Sequence, residues 1–261
     1  MNNIDPREAY WNESYANYWQ ERVNESINNE PSKILNGDVK TEGEWVYKKL
    51  FQDNLFKPGS ILDVGCAWGR MFSIYLEYKL SITGIDISEA MVNRANSLFE
   101  NEPKVLKIDK GIAEKLPYQD NQFDNLVCVA VFDATYQNKA LREFIRVVKP
   151  EGKVYLTGKS TRYSNDDSLA LNAEIGARKK NHPNYFTDVK KLLNILKSNN
   201  IKILSTYYFK RRGDFATFTY SNDYEEPFYE WLIVFKKTTK TKNLELISFS
   251  DKYSETFNNR K

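Results

Sequence analysis

At 261 residues, with a hydrophobic content of 41%, the chain is long enough for one α/β domain with additions, and no stretch approaches the about eighteen apolar residues of a membrane helix. A net charge of +3 does not call for nucleic acid as a partner, and the polar N-terminus lacks the apolar core of a signal peptide. Two cysteines far apart and a single histidine argue against a disulfide framework and a thiolate zinc site, so we expect a cytoplasmic protein without a metal.

The first 56 residues are predicted to form a helical cap. One stripe of large side chains recurs every four residues, the spacing of one helix face: Trp11, Tyr15, Trp19 and Val23. Such a stripe is more often a packing face than a functional one, and the alternative is a lid over a bound ligand. A polar connector over 25–40 leads to a second predicted helix over about 41–55.

The stretch that organises the chain is a short apolar run, Ser60–Val64, which predicts a buried strand. Three small residues follow it, Gly65, Ala67 and Gly69, and they allow a sharp turn whose backbone passes close to a ligand. A helix begins directly after the turn. Its free N–H groups and positive dipole end favour an anionic group of that ligand.

A second apolar run, 81–87, predicts a neighbouring strand that ends on Asp86, about twenty residues beyond the turn. A carboxylate at this place can accept hydrogen bonds from two ribose hydroxyls. The two signals together predict an adenosine-type ligand across the strand ends.

The pattern Asp63-x-Gly65-x-x-x-Gly69 resembles the first motif of class I S-adenosylmethionine-dependent methyltransferases. It is not the dinucleotide fingerprint, because Ala67 and Arg70 stand where that fingerprint has its second and third glycines. The resemblance implies that the turn holds the methionine end of the cofactor and that the acid after the second strand holds the ribose.

Further along, 111–118 with 120–124 resembles the Gly-Asp-Ala-Glu-x-Leu-Pro-Phe block of the same family, and 140–152 resembles another family segment. The family's adenine-binding acid is replaced by Ile112, which we expect to pack on the adenine face, while the N–H of Ala113 reaches the ring. The matching segments span about 60–158, and the chain is identified as a member. The predicted cofactor site comprises Asp63, Gly65, Ala67, Gly69, Asp86, Ile87, Met91, Ile112, Ala113 and Val129.

The resemblance implies an α/β fold, a Rossmann-like sheet of seven mostly parallel strands with an antiparallel last strand and helices on both faces. Apolar runs supply the remaining five strands at 104–108, 125–132, 153–157, 201–209 and 229–237. The methyltransferase domain is predicted over 57–237. Within it, 158–186 has only a weak pattern and is expected to be an active-site lid insertion. Residues 238–261 are predicted to be a polar, loosely ordered tail, with a possible short strand at 244–247.

Ligands of an open parallel sheet bind beyond the carboxyl ends of its strands, which places the acceptor near the loops after the fourth, fifth and sixth strands. His182 is the one residue whose ordinary pKa suits a general base, although a histidine in a turn before a proline is an equally simple interpretation. Asp133 and Tyr136 are the alternatives. The basic positions Arg178, Arg211 and Arg212 are predicted to bind acceptor charge, and no metal is required.

We therefore expect a methyltransferase that uses S-adenosyl-L-methionine. The predicted acceptor is an oxygen of a small polar, anionic metabolite or an activated sugar or capsule precursor. One alternative is an RNA base methyltransferase, for which Tyr207, Tyr208 and Phe209 beside the basic run 210–212 are the only hint. The other is a cofactor-binding partner subunit without catalysis, which only Ile112 supports. The protein is expected to be a monomer or homodimer.

Overall fold

A nine-stranded sheet organises residues 5–14 and 44–259, the parts of the chain that the computed structural model describes. Its main path runs β3-β2-β1-β4-β5, then continues through β8 to β7. The first five strands are parallel to one another, and β8 is antiparallel to both of its neighbours. The strands are β1 Ser60–Val64, β2 Ser81–Asp86, β3 Val105–Lys110, β4 Phe123–Cys128, β5 Val148–Ser160, β6 Phe186–Thr187, β7 Lys202–Phe209, β8 Glu230–Lys236 and β9 Ser250–Asp251.

The predicted Rossmann-like sheet is confirmed, but it has nine strands rather than seven. The two additional strands are short: β6 pairs with the last residues of β5, and β9 pairs with β6. Two-residue strands carry no periodicity that a sequence could show, which is why they were not predicted.

Helices cover both faces of the sheet. The helices are α1 Pro6–Ala9, a π-helical turn Tyr10–Ser14, α2 Glu44–Asp53, α3 Phe72–Glu77, α4 Glu89–Leu98, a 3-10 turn Phe132–Ala134, α5 Gln137–Val147, α6 Ser168–Lys179, α7 Val189–Ser198, α8 Asp214–Thr217 and α9 Glu255–Asn258. Phe144 of α5 and Leu192 of α7 belong to the apolar core on one face, and Phe51 of α2 and Phe72 of α3 to the core on the other. Each helix in this part of the chain is too short or too polar to cross a bilayer.

The segment 158–186 is more structured than its sequence indicates. Strand β5 extends to Ser160, and α6 occupies much of the remainder. Within α6 the buried residues are Ala170 and Glu174, one small and one charged. The sequence of this helix therefore has no apolar stripe from which it could be predicted. Of the predicted N-terminal stripe, Trp11 is described, whereas Tyr15, Trp19, Val23 and the connector 25–40 lie outside the described residues.

The expectation of a loosely ordered C-terminal tail is wrong for 244–256. Leu244, Phe249, Ser254 and Thr256 are buried, and Phe249 belongs to the main core. The short strand lies at β9 and not at 244–247. A few widely spaced buried residues hold this segment against the domain. The residues between them are polar, which is why the composition suggested disorder.

Glu174 of α6 joins this C-terminal segment to the domain. Its side chain is 1% exposed and accepts hydrogen bonds from the hydroxyls of Tyr163 (2.7 Å) and Ser254 (2.6 Å), and from the backbone N–H of Ser254 at 3.1 Å. It also pairs with Arg178. The guanidinium carbon of Arg178 lies 3.6 Å from the ring centroids of both Tyr253 and Phe257. Arg178 therefore has a structural role in docking the chain end.

We predict that Glu174→Ala lowers the free energy of unfolding by about 3–5 kcal/mol, because it leaves a partly buried guanidinium and two buried hydroxyls without their acceptor. Urea unfolding measures the change. Glu245→Ala, at an exposed position of the same segment, is the matched control and should stay within about 0.5 kcal/mol of the parent. Equal effects of the two substitutions would contradict this account of the chain end.

Candidate active site

A predominantly apolar pocket lies beyond the carboxyl ends of β1, β2 and β4, where an open α/β sheet binds its ligands. We call it the apolar pocket. Seven of the ten predicted cofactor residues line it: Gly65, Ala67, Asp86, Ile87, Met91, Ile112 and Ala113. Trp11, a residue of the predicted N-terminal stripe, also lines it. The other lining residues, which the sequence did not point to, include Arg7, Ser88, Glu114, Ala130, Val131, Ala134 and Thr135.

The turn after β1 forms one wall of this pocket. Gly65 has a φ of +76°, and a Cβ at this position would lie 2.4 Å from a methyl carbon of Val131. The N–H groups of Gly65 and Cys66 both donate to the carbonyl of Ile85, at 2.8 and 3.1 Å. The turn is therefore packed against the end of β2 with no room for a side chain, as a close backbone approach requires.

Asp86 forms the second wall. Its carboxylate accepts the backbone N–H of Ala67 at 2.9 Å and the backbone N–H of Ser88 at 2.8 Å, one on each oxygen. Burial raises its pKa, and these backbone hydrogen bonds act in the opposite direction. The carboxylate is held in one orientation, and each oxygen keeps lone pairs that can accept a hydroxyl of a ligand in the pocket.

Asp63, Gly69 and Val129 do not line the apolar pocket, and their assignment as cofactor contacts stays a prediction. Gly69, with φ +81°, shapes the turn against Phe72 and Phe99. Val129 packs against the apolar core that contains Phe51 and Phe72. Asp63 is 3% exposed within β1, and burial, together with the charge of Asp86, raises its pKa to about 7.

The N-terminal segment closes the apolar pocket from outside. Arg7 is 7% exposed; it pairs with Asp5 at 2.7 Å and with Glu114 at 2.6 Å, and its guanidinium lies 4.5 Å from the ring centroid of Tyr136. Trp11 lines the pocket directly. For this one residue of the predicted stripe, the position supports the interpretation as a lid.

A second, polar pocket of about 170 Å³ adjoins the first. Ala130 lines both, and its N–H donates to the hydroxyl oxygen of Thr157 at 2.7 Å, which holds the ends of β4 and β5 together. We call it the polar pocket. Its remaining lining residues are Asp133, Gly158, Lys159, Arg212, Phe215, Glu230 and Trp231.

A buried ion pair lies in the polar pocket. The ammonium of Lys159 is 2.6 Å from a carboxylate oxygen of Asp133 and donates to the side-chain oxygen of Asn184 at 3.1 Å. Burial opposes both charges, but the pair outweighs it: Lys159 lowers the pKa of Asp133, and Asp133 raises the pKa of Lys159. Both groups are therefore charged at neutral pH.

The two other candidate catalytic residues lie elsewhere. His182 and Tyr136 line a third pocket, which also contains Arg178. The His182 ring packs edge-on against Tyr10 and Trp11, with centroids 5.0 and 5.3 Å apart. Burial lowers the pKa of His182 to about 4, and the charges of Lys159 and Lys180 act in the same direction. Its imidazole is neutral at pH 7, but it is not part of the polar pocket lining.

The predicted acceptor-binding arginines also lie in different places. Arg212 lines the polar pocket and donates to the hydroxyl of Tyr229 at 3.0 Å. Arg211 lies on the surface and forms a two-pronged ion pair with Asp166, both distances 2.8 Å. Of the three arginines predicted to bind acceptor charge, Arg212 lines the polar pocket, whereas Arg178 and Arg211 do not. Lys159 was missed, although its place directly after an apolar strand is the signal that selected Asp133.

Residues 62–156 match the family model described as a methyltransferase domain. These residues therefore form a methyltransferase domain. The chain is 33% identical over 99 residues to the uncharacterized methyltransferase YcgJ of Bacillus subtilis, covering 37% of this chain and 39% of that protein. It is 34% identical over 115 residues to the ubiquinone/menaquinone biosynthesis C-methyltransferase UbiE of Neisseria gonorrhoeae, covering 41% and 46% of the two chains.

The methyltransferase likeness thus spans less than half the length of these curated relatives. The crystal structure of YcgJ from Bacillus subtilis superimposes with a TM-score of 0.55 at 18% identity, covering 75% of this chain and 99% of that one. The structural comparison shows that the fold extends well beyond the residues matched by sequence. S-adenosyl-L-methionine, the cofactor expected from the sequence, agrees with this likeness to a methyltransferase domain.

We predict that Gly65→Ala weakens binding of S-adenosylhomocysteine by about tenfold or more, because an L-residue at this positive φ costs about 1–2 kcal/mol and its Cβ would overlap Val131. Calorimetry measures the affinity. Gly176→Ala in α6 is the matched control: no atom lies within 4 Å of its Cβ, so affinity should be unchanged. A bound ligand with parental affinity in the Gly65 variant would show that the turn tolerates a side chain.

We predict a pH dependence from Asp63, whose pKa is about 7 in the folded protein and about 3.9 when unfolded. A raised carboxyl pKa means that the favourable contribution is complete below about pH 4 and is lost as the pH rises towards about 7, at about 1.4 kcal/mol per pH unit. Relative to the parent, Asp63→Asn should therefore gain stability across this window in urea unfolding. Asp223→Asn, on the surface, should show a constant difference; parallel curves for both variants would exclude a raised pKa at Asp63.

Proposed function

We propose that this chain transfers the methyl group of S-adenosyl-L-methionine to an oxygen of a small polar acceptor that carries negative charge. A phosphorylated metabolite or an activated sugar belongs to this class. The observation that carries the proposal is the junction at Ala130, where an apolar pocket of cofactor type meets a polar pocket containing Lys159 and Arg212. We further infer that 57–237 forms the catalytic unit and that the residues before it form its cap.

The apolar pocket offers a partner for each part of the cofactor. The turn at Gly65 and Ala67 would hold the methionine end, the pinned carboxylate of Asp86 the ribose hydroxyls, and Ile112 one face of the adenine. An apolar contact from Ile112 accepts the ring without a charged partner, so the departure from the family motif is compatible with binding.

The acceptor oxygen then has to meet the methyl carbon in line. Its lone pair forms the new carbon–oxygen bond, and the carbon–sulfur bond breaks with its electron pair staying on sulfur. A hydroxyl acceptor releases its proton to water, and the products are a methyl ether or ester and neutral S-adenosylhomocysteine. The residues of the chain contribute alignment and exclusion of water. Arg7 and Trp11 support the second role, because they cover the apolar pocket.

The RNA alternative has less support. It needs exposed aromatic residues beside the basic run, but Tyr207, Tyr208 and Phe209 are at most 5% exposed and belong to the core. Arg211 is engaged by Asp166. The polar pocket between these elements is of small-molecule size.

Methylation of carbon is a second candidate, which the likeness to UbiE favours, since that relative is named a C-methyltransferase. A phenol-type ring could be methylated at oxygen or at an adjacent carbon. Nuclear magnetic resonance of the product distinguishes the two by the chemical shift of the new methyl group.

Binding and turnover together test the proposal. The protein should bind S-adenosylhomocysteine but not a nicotinamide dinucleotide in calorimetry, and Asp86→Ala should weaken binding by about 1–3 kcal/mol. Radiolabelled S-adenosyl-L-methionine, incubated with phosphorylated metabolites, sugar nucleotides, phenols and transfer RNA, then identifies the acceptor class. Label appearing in RNA alone, or tight dinucleotide binding without a response to the homocysteine compound, would refute the proposal.

We predict that Arg212→Gln raises the acceptor KM, because Arg212 lines the polar pocket. Arg211→Gln is the matched control, because the neighbouring side chain is paired at the surface. Cofactor affinity should be unchanged in both variants. Steady-state kinetics on the acceptor found in the screen measure the difference. If Arg211→Gln has the larger effect on KM, the acceptor lies outside the polar pocket.

A further inference from the structure

We propose that Lys159 binds the reacting oxygen of the acceptor as an anion, so that the acceptor is an acidic oxygen compound, a carboxylic acid, phenol or enol, which is methylated without a general base. This inference rests on the proposed methyl transfer and names the substrate class. The observations that carry it are the hydrogen-bonding capacity of Lys159, its positive charge, and the composition of the pocket around it.

Lys159 has one donor left for a ligand. An ammonium group has three N–H donors. Asp133 takes one at 2.6 Å and Asn184 another at 3.1 Å, and no third acceptor within 5–14 or 44–259 is in contact with it. The side chain is 20% exposed, and it lines the polar pocket. An oxygen placed there would complete the coordination of the ammonium.

The charge of Lys159 is fixed by Asp133. The Asp133 side chain is 11% exposed, and its backbone carbonyl accepts the N–H of Tyr185 at 2.6 Å, which holds the loop in position. In this setting the charge of Asp133 outweighs burial and raises the pKa of Lys159, so the ammonium is protonated at neutral pH. The ion pair thus places the positively charged ammonium of Lys159 at the wall of the polar pocket.

Asp133, among the described residues that line the polar pocket, is not a base suited to an alcohol. The titratable lining residues of this pocket are Asp133, Lys159, Arg212 and Glu230. A general base works best when its pKa lies near the operating pH, and the pKa of Asp133 is lowered. An acceptor that is already an anion needs no such base.

For an acidic oxygen, the ammonium performs the required step itself. An opposite charge at this distance lowers the pKa of the neighbouring acid by about 1–3 units, so the acceptor gives its proton to water and remains bound as the anion. The lone pair that attacks the methyl carbon is then already free. His182, in the third pocket, is not needed in this scheme.

The test uses 4-nitrophenol, whose ionised form absorbs visible light while the neutral form does not. The full chain, saturated with S-adenosylhomocysteine, is titrated with the phenol across a pH series. We expect saturable binding with the pKa of the bound phenol lowered by about 1–3 units. Absence of binding, or binding without a lowered pKa, overturns the proposal.

Three variants test whether Lys159 causes the lowered pKa of the bound phenol. Lys159→Met alone would leave the buried carboxylate of Asp133 unpaired, so the double variant Lys159→Met/Asp133→Asn removes both charges together. It should abolish the shift. Asp133→Asn alone keeps the ammonium and should preserve or enlarge the shift. Lys190→Met, at an exposed position of α7, is the matched control and should behave as the parent. A shift that persists in the double variant, or disappears in Asp133→Asn, contradicts the role of Lys159.

The readout separates this inference from the proposed function, because it requires no turnover. A normal phenol shift in a protein that transfers no methyl group to any acceptor would refute the function and not the charge of the pocket. Methyl transfer restricted to neutral alcohols, with no phenol shift, would refute the present inference alone. Melting temperatures of all variants, with and without S-adenosylhomocysteine, show that each one is folded and retains the cofactor site.

Discussion

The carboxylate of Asp86 is the constraint on which the cofactor side of the molecule depends. Its two oxygens accept backbone N–H groups from two different connections, the turn after β1 at Ala67 and the start of α4 at Ser88. Because both donors belong to the main chain, the carboxylate fixes the relative position of the two strand–helix turns that border the apolar pocket. Its burial makes the charge costly, and a ligand hydroxyl that donates to it offsets part of that cost.

The acceptor side depends on a different kind of constraint, an ion pair at the ends of β4 and β5. A buried pair contributes little to stability by itself, because desolvation opposes the attraction. The position of the pair is what matters for the site. Lys159 lies near the carboxyl end of the long strand β5, and Asp133 lies in the 3-10 turn Phe132–Ala134 that follows β4. The two pockets share Ala130, so in the proposed reaction the transferred group and its acceptor would lie next to each other.

The sequence signals that predict the cofactor half are all local. Strand β1, the small residues after it and Asp86 lie within one βαβ unit, and the structure puts the turn and the acid around one pocket. The acceptor half depends on contacts between distant segments. Helix α6 presents Ala170 and Glu174 to the interior, so no apolar period reveals it, and the partners of Glu174 come from the far C-terminal segment. The position of Asp133 after a strand made it a candidate from the sequence. Lys159 becomes a candidate only through its contact with Asp133 at the end of the neighbouring strand.

The N-terminal segment connects the apolar pocket with the third pocket. Arg7 lines both, and its pairing with Glu114 ties the segment to the loop that carries Ile112. Trp11 lines the apolar pocket with one part of its surface and packs against His182 with another. A neutral imidazole suits such an aromatic contact, because an imidazolium in the same buried place would be destabilised by Lys159. The low pKa of His182 is therefore accounted for by packing beneath the segment that closes the apolar pocket, and a catalytic role is not needed to explain it.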